Sequence, residues 1–215
     1  MPIFKKVSWK IKLDFFLFGW IVNWAFPQYY RPKYTYSRFY KLFFWNVIPQ
    51  KIIGINRRAQ WPVHFSSIVR NPEKIQKGIL CDPGDNLGIY IQARNGIILG
   101  NNVGISSGCA IVSANHSNDN HSQHDVAPPI VIGNNVFIYA NSVVLPGVNI
   151  GDNVIIGAGS VVTKDIPSNS IAVGNPCRVI KQKPPYLETF DKSEFNRKIP
   201  NRFLDYLNKM NRTAN

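Results

Sequence analysis

The chain has 215 residues, of which 45% are hydrophobic and 17% are charged. This length suits one domain with appendages, and the composition excludes a chain that is disordered throughout. The net charge of +13 is uneven: residues 1–78 carry 14 basic and 2 acidic residues, residues 79–176 carry 2 and 6, and residues 177–215 carry 9 and 4. A nucleic-acid binder usually has a basic body, so we expect no nucleic-acid partner.

The cysteines and the longest apolar stretch bear on the cellular compartment. Cys81, Cys109 and Cys177 are odd in number and lack C-x-x-C spacing, so they predict neither a disulfide framework nor a zinc ribbon. Residues 13–26 form an apolar stretch shorter than the roughly 20 residues that span a bilayer. The stretch has no small-residue cleavage site of a secretory signal. These features favour a reducing compartment, and we expect the cytoplasm.

The first 50 residues hold 17 of the 27 aromatic residues. Two apolar sets at helical spacing, separated by PQYYRP, predict two short helices. The first set is Leu13, Phe16, Leu17, Trp20, Ile21 and Trp24, and the second is Tyr36, Phe39, Tyr40, Phe43, Phe44 and Val47. These faces either pack on protein, including a neighbouring subunit, or rest on an anionic membrane surface, where Trp, Lys and Arg are favoured.

A six-residue period begins near residue 87 and predicts short strands joined by tight turns. The aliphatic positions are Ala93, Leu99, Ile105, Ile111, Ile132, Ile138, Val144, Ile150, Ile156 and Val162, and a second small or apolar series stands four residues after most of them. Turn dipeptides such as Asn101-Asn102 and Asp152-Asn153 separate the strands. A helix is excluded, because each glycine in this region would cost it about 1 kcal/mol. The pattern therefore predicts a parallel β-helix.

The repeat breaks once, between Ile111 and Ile132, which are 21 residues apart rather than 6. The residues between them are polar, so we expect a loop over 112–128 that leaves the coil and returns. Three of the four histidines lie in it: His116, His121 and His124. Long loops on regular scaffolds commonly carry function, so this loop is the first candidate for a site.

Three regions follow from these patterns. Residues 1–80 form a basic, aromatic helical segment, residues 81–181 form the β-helix, and residues 182–215 form a linker and a short helix. The last helix is indicated by Phe203, Leu204, Leu207 and Met210. It would cover an open end or edge of the β-helix, which otherwise invites aggregation.

The run IGNNVFIYANSVVLPGVNIGDNVIIGAGSVVTKDIPSNSIAVGNPCRVIK, with the NHS loop before it, resembles the hexapeptide-repeat acyltransferases. The resemblance covers roughly residues 87–181 and lies with the galactoside, maltose and polysaccharide O-acetyltransferases. It implies a mainly β fold, a left-handed β-helix of triangular cross-section, a homotrimer, and acetyl-CoA bound between subunits. The first 80 residues are closer to the aromatic, basic leaders of acetyltransferases of capsule and exopolysaccharide synthesis.

The resemblance also implies that His116 is the general base, a role that suits imidazole because it titrates near neutral pH. The alternative is a metal site. His116 and His121 have the HxxxxH spacing of γ-class carbonic anhydrases, which need a third histidine near residue 80, where this chain has Cys81. A zinc site formed by the loop histidines alone is a further alternative. We favour the metal-free interpretation.

For acetyl-CoA, the resemblance implies contacts from six residues: Ala140, Ala158, Thr163, Lys164, Arg178 and Lys181. The Ala140 amide would contact the thioester or pantetheine arm, and the small Ala158 side chain would let pantetheine pass. The basic residues would bind the CoA phosphates. The competing interpretations are a structural corner for Ala158 and solvated charge for the basic residues. Phe137 and Tyr139 depart from the family pattern, which usually has Trp and Gly there.

The expected function is an acetyl-CoA-dependent O-acetyltransferase that modifies a sugar hydroxyl in capsule, exopolysaccharide or envelope glycan synthesis. The acceptor would be a sugar or oligosaccharide, free or lipid-linked, and the hydroxyl would attack the thioester directly. The enzyme would lie in the cytoplasm, either free or peripheral on the inner face of the cytoplasmic membrane. The alternatives are N-acetylation of an amino sugar and a noncatalytic β-helical scaffold or membrane tether.

Overall fold

The computed structural model describes residues 9–27 and 39–187, and most of these residues form a prism of three β-sheets. Sheet A contains β1 (Ile68–Arg70), β3 (Tyr90–Gln92), β6 (Ala110–Val112), β9 (Val143–Val144) and β12 (Val161–Val162). Sheet B contains β2 (Ile75–Lys77), β4 (Ile97–Leu99), β7 (Ile130–Ile132) and β10 (Asn149–Ile150). Sheet C contains β5 (Gly104–Ile105), β8 (Phe137–Ile138), β11 (Ile155–Ile156), β13 (Ser170–Val173) and β14 (Arg178–Gln182).

The chain passes through sheets A, B and C in turn, so successive coils stack strand on strand. Paired strands are parallel and in register, with Ile111 opposite Val144 in sheet A and Ile138 opposite Ile156 in sheet C. Strand β14 is the exception, because it returns antiparallel along β13 and closes the edge of sheet C. The predicted parallel β-helix is confirmed.

The six-residue series forms the core of the prism. All ten aliphatic positions are buried, and Ile138, Val144, Ile150 and Ile156 are 0% exposed. The second series is buried as well, including two serines whose hydroxyls donate to backbone carbonyls of the corner: Ser142 to Tyr139 and Ser160 to Gly157. Short strands suffice here because each coil buries apolar side chains against the coils above and below it.

The three corners of the prism are named here by the sheets that they join. At the B–C corner, one asparagine per coil has a left-handed backbone with φ near 56°, a conformation that asparagine tolerates better than most residues. These residues are Asn102, Asn135, Asn153 and Asn169. The Asn102 amide donates to Asn135 Oδ1 at 2.9 Å, and the Asn153 amide donates to Asn169 Oδ1 at 2.7 Å. The predicted turn dipeptides therefore stack as a polar column.

Two helical segments precede the prism, as predicted. The first comprises α1 (Trp9–Asp14), a π-helical stretch (Phe15–Gly19) and α2 (Trp20–Ala25), and the second comprises α3 (Phe39–Leu42) and a π-helical stretch (Phe43–Ile53). The Asp14 carboxylate accepts hydrogen bonds from the amides of Phe39 and Tyr40 at 2.7 and 2.8 Å, which caps the second segment and joins it to the first. Val22, Phe26, Leu42 and Val47 form a small core between them.

The second helical segment is attached to the prism through Gln50. Its buried side-chain amide donates to the carbonyls of Ala59 and Trp61 at 2.9 Å each, and its Oε1 accepts the Val63 amide at 3.0 Å. Because every bond is made in the interior, Gln50 fixes the helical segment against the first coil.

Two further expectations can be compared with the structure. The β-helix begins with Ile68 in sheet A, earlier than the expected boundary at residue 81, and a short 3₁₀ helix (Pro72–Lys74) lies within this first coil. The expected C-terminal helix lies outside the described residues. None of the helices in the described ranges combines the length and hydrophobicity needed to cross a membrane.

Candidate active site

The loop between β6 and β7 leaves the prism at the A–B corner and carries the three candidate histidines. Two polar residues of the preceding coil hold its ends. The Asn95 side-chain amide donates to the carbonyls of Ser113 and Asp125 at 2.9 and 3.0 Å, and the Gln92 amide donates to the carbonyl of Ala114 at 3.1 Å. The side chain of Asn95 therefore hydrogen-bonds to both the start and the end of the loop.

His116 is exposed, and its tautomer is set by the backbone of the loop. Its Nδ1 lies 2.6 Å from the carbonyl oxygen of His121. A carbonyl oxygen can only accept, so Nδ1 carries the proton of the neutral ring and Nε2 carries the lone pair. The ring also packs against His124, with the two centroids 4.2 Å apart. The loop thus presents one oriented imidazole with Nε2 as its basic atom.

The neighbouring imidazole of His124 resists protonation. Partial burial lowers the pKa of His124, the charges of Arg94 and His116 lower it further, and Asp125 acts in the opposite direction. Its Nδ1 is shielded from solvent and has no hydrogen-bond partner within the described residues. The protonated form of His124 is therefore less favoured than that of an ordinary histidine.

We expect the His124 ring to titrate below the ordinary histidine value of about 6.5. Because the folded chain binds this proton more weakly than the unfolded chain, the contribution of His124 to stability falls as the pH drops below that value. NMR titration of the ring protons measures the midpoint. Arg94→Ala should raise it by removing a nearby positive charge, whereas Lys51→Ala, in the second helical segment, should not. A wild-type midpoint at or above the ordinary value would contradict the expectation.

At the C–A corner, Ala140 and Ala158 occupy equivalent positions in adjacent coils. The Ala140 carbonyl accepts the Gly159 amide at 2.9 Å, so the two turns stack. The amides that flank Ala140 are used between coils, since Tyr139 donates to Ile156 and Asn141 donates to Ser107. The amides of Ala140 and Ala158 themselves donate to no group within residues 9–27 and 39–187. This corner therefore offers two unused donors in line.

The remaining residues expected to bind acetyl-CoA are spread over the three corners. Arg178 lies opposite Val173 at the end of β13, beside the C–A corner. Thr163 and Lys164 follow β12 at the A–B corner, and Lys181 lies opposite Ile171 toward the B–C corner. One chain therefore brings Ala140, Ala158 and Arg178 together, and it places the other three elsewhere.

His116 and Ala140 lie at opposite ends of sheet A. Ala140 lies three residues before β9, His116 lies four residues after β6, and these two strands pair in parallel. Parallel pairing puts the start of one strand beside the start of its neighbour. In one chain the imidazole and the amides of Ala140 and Ala158 therefore lie at different corners of the prism.

Phe137 and Tyr139 form an exposed aromatic pair on sheet C beside the C–A corner, with ring centroids 5.3 Å apart. The Phe137 ring covers Gly104 in the preceding coil, where a Cβ atom would lie 2.5 Å from the ring. Phe137 and Tyr139 are the two positions at which the sequence departs from the family pattern. Their aromatic rings therefore lie beside the corner that carries the free amides of Ala140 and Ala158.

Comparisons with known proteins identify the repeat. Residues 129–164 match the family model described as bacterial transferase hexapeptide (six repeats). The chain therefore carries the repeat of this family over residues 129–164. A serine acetyltransferase from Neisseria gonorrhoeae is 19% identical with a TM-score of 0.50, over 82% of this chain and 72% of that one, and this likeness concerns the fold. The left-handed β-helix is thereby confirmed.

Two other solved structures are similar to this hexapeptide-repeat chain. A maltose O-acetyltransferase from Clostridium difficile 630 is 38% identical with a TM-score of 0.44, over 56% of this chain, and the chain spans 61% of that protein's length. A galactoside acetyltransferase in complex with coenzyme A is 23% identical with a TM-score of 0.44, over 85% of this chain and 91% of that one.

Metal ligands were the alternative use of the loop histidines in this hexapeptide-repeat protein. In the ranges that the structure describes, no three or more His, Cys, Asp or Glu side chains are grouped so as to hold a metal ion. Cys81, at the position where a third histidine would be needed, is 1% exposed in the core of the first coil.

Proposed function

We propose that the chain is an acetyl-CoA-dependent O-acetyltransferase in which His116 is the general base. The observation that carries the proposal is the hydrogen bond from Nδ1 of His116 to the His121 carbonyl, which leaves Nε2 as the proton acceptor. The acceptor oxygen attacks the thioester carbon while its proton moves to Nε2. The C–S bond then breaks, its electron pair stays on sulfur, and the imidazolium returns the proton to the thiolate. No acyl-enzyme is needed.

The donor is assigned to the C–A corner. The free amides of Ala140 and Ala158 suit the carbonyl groups of a pantetheine arm and the oxyanion that develops on the thioester. Arg178, whose guanidinium donates to the Cys177 carbonyl at 2.7 Å, lies beside the same corner and supplies charge for a CoA phosphate. Thr163, Lys164 and Lys181 would contact acetyl-CoA from a different subunit or from a different corner. The coenzyme A of the similar galactoside acetyltransferase supports this choice of donor.

The assembly is proposed to be a homotrimer. Because the imidazole and the free amides lie at different corners of one prism, identical copies complete the site when the A–B corner of one faces the C–A corner of the next. Such a head-to-tail contact closes into a ring of cyclic symmetry. Sedimentation of a trimer at working concentration, with His116→Ala and Ala140→Pro complementing each other when mixed, would support this arrangement, because proline removes the backbone N–H at position 140.

The acceptor is proposed to be a sugar hydroxyl of a capsule, exopolysaccharide or envelope glycan, and the reaction is placed in the cytoplasm. The maltose and galactoside acetyltransferases to which the chain is similar support a sugar acceptor. The three cysteines are free and buried, which suits a reducing compartment.

Acetyl transfer to hydroxyl-only and amine-bearing sugars tests the proposal directly. With labelled acetyl-CoA, we expect label in a product that mild alkali or hydroxylamine releases, because esters are cleaved under conditions in which amides survive. A stable amide on an amino sugar would instead identify N-acetylation. Absence of acetyl-CoA binding to the intact oligomer would overturn the enzymatic function altogether and favour a scaffold.

A further inference from the structure

Three arginines converge on an open groove beside the first coil, outside the candidate active site. Arg57, Arg58 and Arg70 line a cavity of about 490 Å³ together with Asn56 and Asn71. All three arginines are exposed, and none forms an ion pair within residues 9–27 and 39–187. The carboxylate next to the groove in sequence, that of Glu73, accepts a long 3.4 Å hydrogen bond from the Asn71 amide. The groove is therefore a positively charged concavity whose arginines have no carboxylate partner among the described residues.

An exposed apolar face lies along the chain next to this groove. Ile52 and Ile53, at the end of the second helical segment, are 73% and 67% exposed, and Gly54 then enters the groove lining. The first helical segment has a second exposed stripe at helical spacing, comprising Leu13, Phe16, Leu17, Trp20 and Trp24. Within residues 9–27 and 39–187, the stripe that predicted this helix is thus left exposed except at Ile21, which packs against the small core.

The two helical segments contact each other near their C-terminal ends, where the Lys51 ammonium lies 4.8 Å from the centre of the Phe26 ring. Exposed apolar residues stand close to this contact in the sequence of each segment, Trp24 in the first and Ile52 in the second. Large exposed apolar faces are rare on monomers and mark an interaction surface. Ile52 and Ile53 directly precede Gly54, which lines the arginine groove.

We propose that this combined surface docks onto an anionic lipid bilayer, with lipid phosphates in the groove of Arg57, Arg58 and Arg70 and with the isoleucine and tryptophan side chains in the interface. The charge of the region supports lipid as the partner, since residues 1–78 carry 14 basic and 2 acidic residues. Exposed tryptophans are favoured at the headgroup level, and guanidinium groups bind phosphate in a two-point geometry. The docking does not depend on the chemistry proposed for His116.

The first helical segment suits attachment to the surface of a bilayer. An amphipathic helix that lies in the interface needs one apolar face and flanking basic groups, and this segment has its exposed stripe and Lys12. Docking would hold the prism at the membrane surface, where lipid-linked glycans are made available to an acetyltransferase.

Flotation of the full-length chain with vesicles tests the proposal. We expect binding to vesicles of phosphatidylcholine mixed with phosphatidylglycerol, weak binding to phosphatidylcholine alone, and weakening by salt. The triple variant Arg57→Gln/Arg58→Gln/Arg70→Gln should lose on the order of 100-fold in affinity, since each basic group near such a surface contributes several-fold. Ile52→Ser/Ile53→Ser should weaken binding and reduce the shift of tryptophan emission.

A charge-matched control removes three basic groups from the prism instead. Lys164→Gln/Arg178→Gln/Lys181→Gln should bind the same vesicles as the wild type, because these residues lie on other surfaces. Equal losses in both triple variants would overturn the site and indicate nonspecific charge. Circular dichroism and sedimentation confirm that each variant is folded.

Two further outcomes would overturn the proposal. If inorganic phosphate or pyrophosphate binds the groove and no vesicle does, the arginines form a site for a soluble phosphate. If no vesicle binds and Trp20 and Trp24 are protected from a soluble quencher in the oligomer, the apolar face is a subunit interface.

Discussion

Replacing His116 by alanine is expected to lower kcat for acetyl transfer by about 10²- to 10⁴-fold, the range over which a positioned general base contributes. The loss follows from Nε2, since the fixed proton on Nδ1 makes Nε2 the ring atom able to take the proton of the acceptor hydroxyl. The affinity for acetyl-CoA should change little, because the residues proposed to contact acetyl-CoA lie at the C–A corner. Steady-state kinetics and calorimetric binding of CoA separate the two quantities.

His121→Ala is the matched control within the same loop. The contact to His116 uses the backbone carbonyl of His121, which the substitution keeps, so the imidazole stays oriented and activity should remain near that of the wild type. Full activity in His116→Ala would remove the residue from the reaction. Equal losses in both variants would mean that the substitutions disturb the loop rather than the base.

The prism could be predicted from the sequence because its stabilising pattern is local and periodic. Each residue of the six-residue series, such as Ile138 and Ile156, points into the same core, and each corner repeats the same turn chemistry. The loop could also be predicted, because residues 112–128 are polar and lack the six-residue period. Such a stretch cannot be buried in the core of the prism. His116 was identified within that loop by the resemblance to the hexapeptide-repeat acyltransferases.

The contacts that shape the site could not be predicted in this way. Gln92 and Asn95 hold the loop through hydrogen bonds to residues about one coil away, and no periodic signal marks a polar side chain that makes such a bond. The arginine groove likewise joins Arg57 and Arg58 to Arg70, which enters through the first strand of sheet A. That strand lies ahead of the region in which the six-residue period is regular.

The position of the helical stripe shows a second limit of periodicity. Helical spacing of Phe16, Trp20 and Trp24 predicts a helix with an apolar face, and the structure contains that helix. The spacing does not say what covers the face. Burial instead falls on Val22 and Phe26 on the other side, where the second helical segment packs. Which face is covered depends on tertiary contacts, in particular on the capping of the second segment by Asp14.

A buried ion pair in the first coil is the second feature with a large expected effect. The Lys77 ammonium lies 3.2 Å from Asp82 Oδ1, and the two side chains are 3% and 4% exposed. Lys77 ends β2 opposite the inward-facing Leu99, so a charge occupies a position that the repeat fills with an aliphatic side chain. The ammonium also lies 5.9 Å from the centre of the Trp61 ring.

Asp82→Ala is therefore expected to lower the free energy of unfolding by about 3–5 kcal/mol, because it leaves the Lys77 charge in the core without its carboxylate. Lys77→Met/Asp82→Ala should recover most of this loss, since an apolar side chain at position 77 needs no partner and matches the aliphatic repeat. Glu73→Ala removes an exposed carboxylate from the same coil and should change stability by less than about 0.5 kcal/mol. Denaturant unfolding at one fixed protein concentration measures all three, because subunit association contributes to the transition. A double variant as unstable as Asp82→Ala would show that the aspartate acts through its other contacts and not by neutralising Lys77.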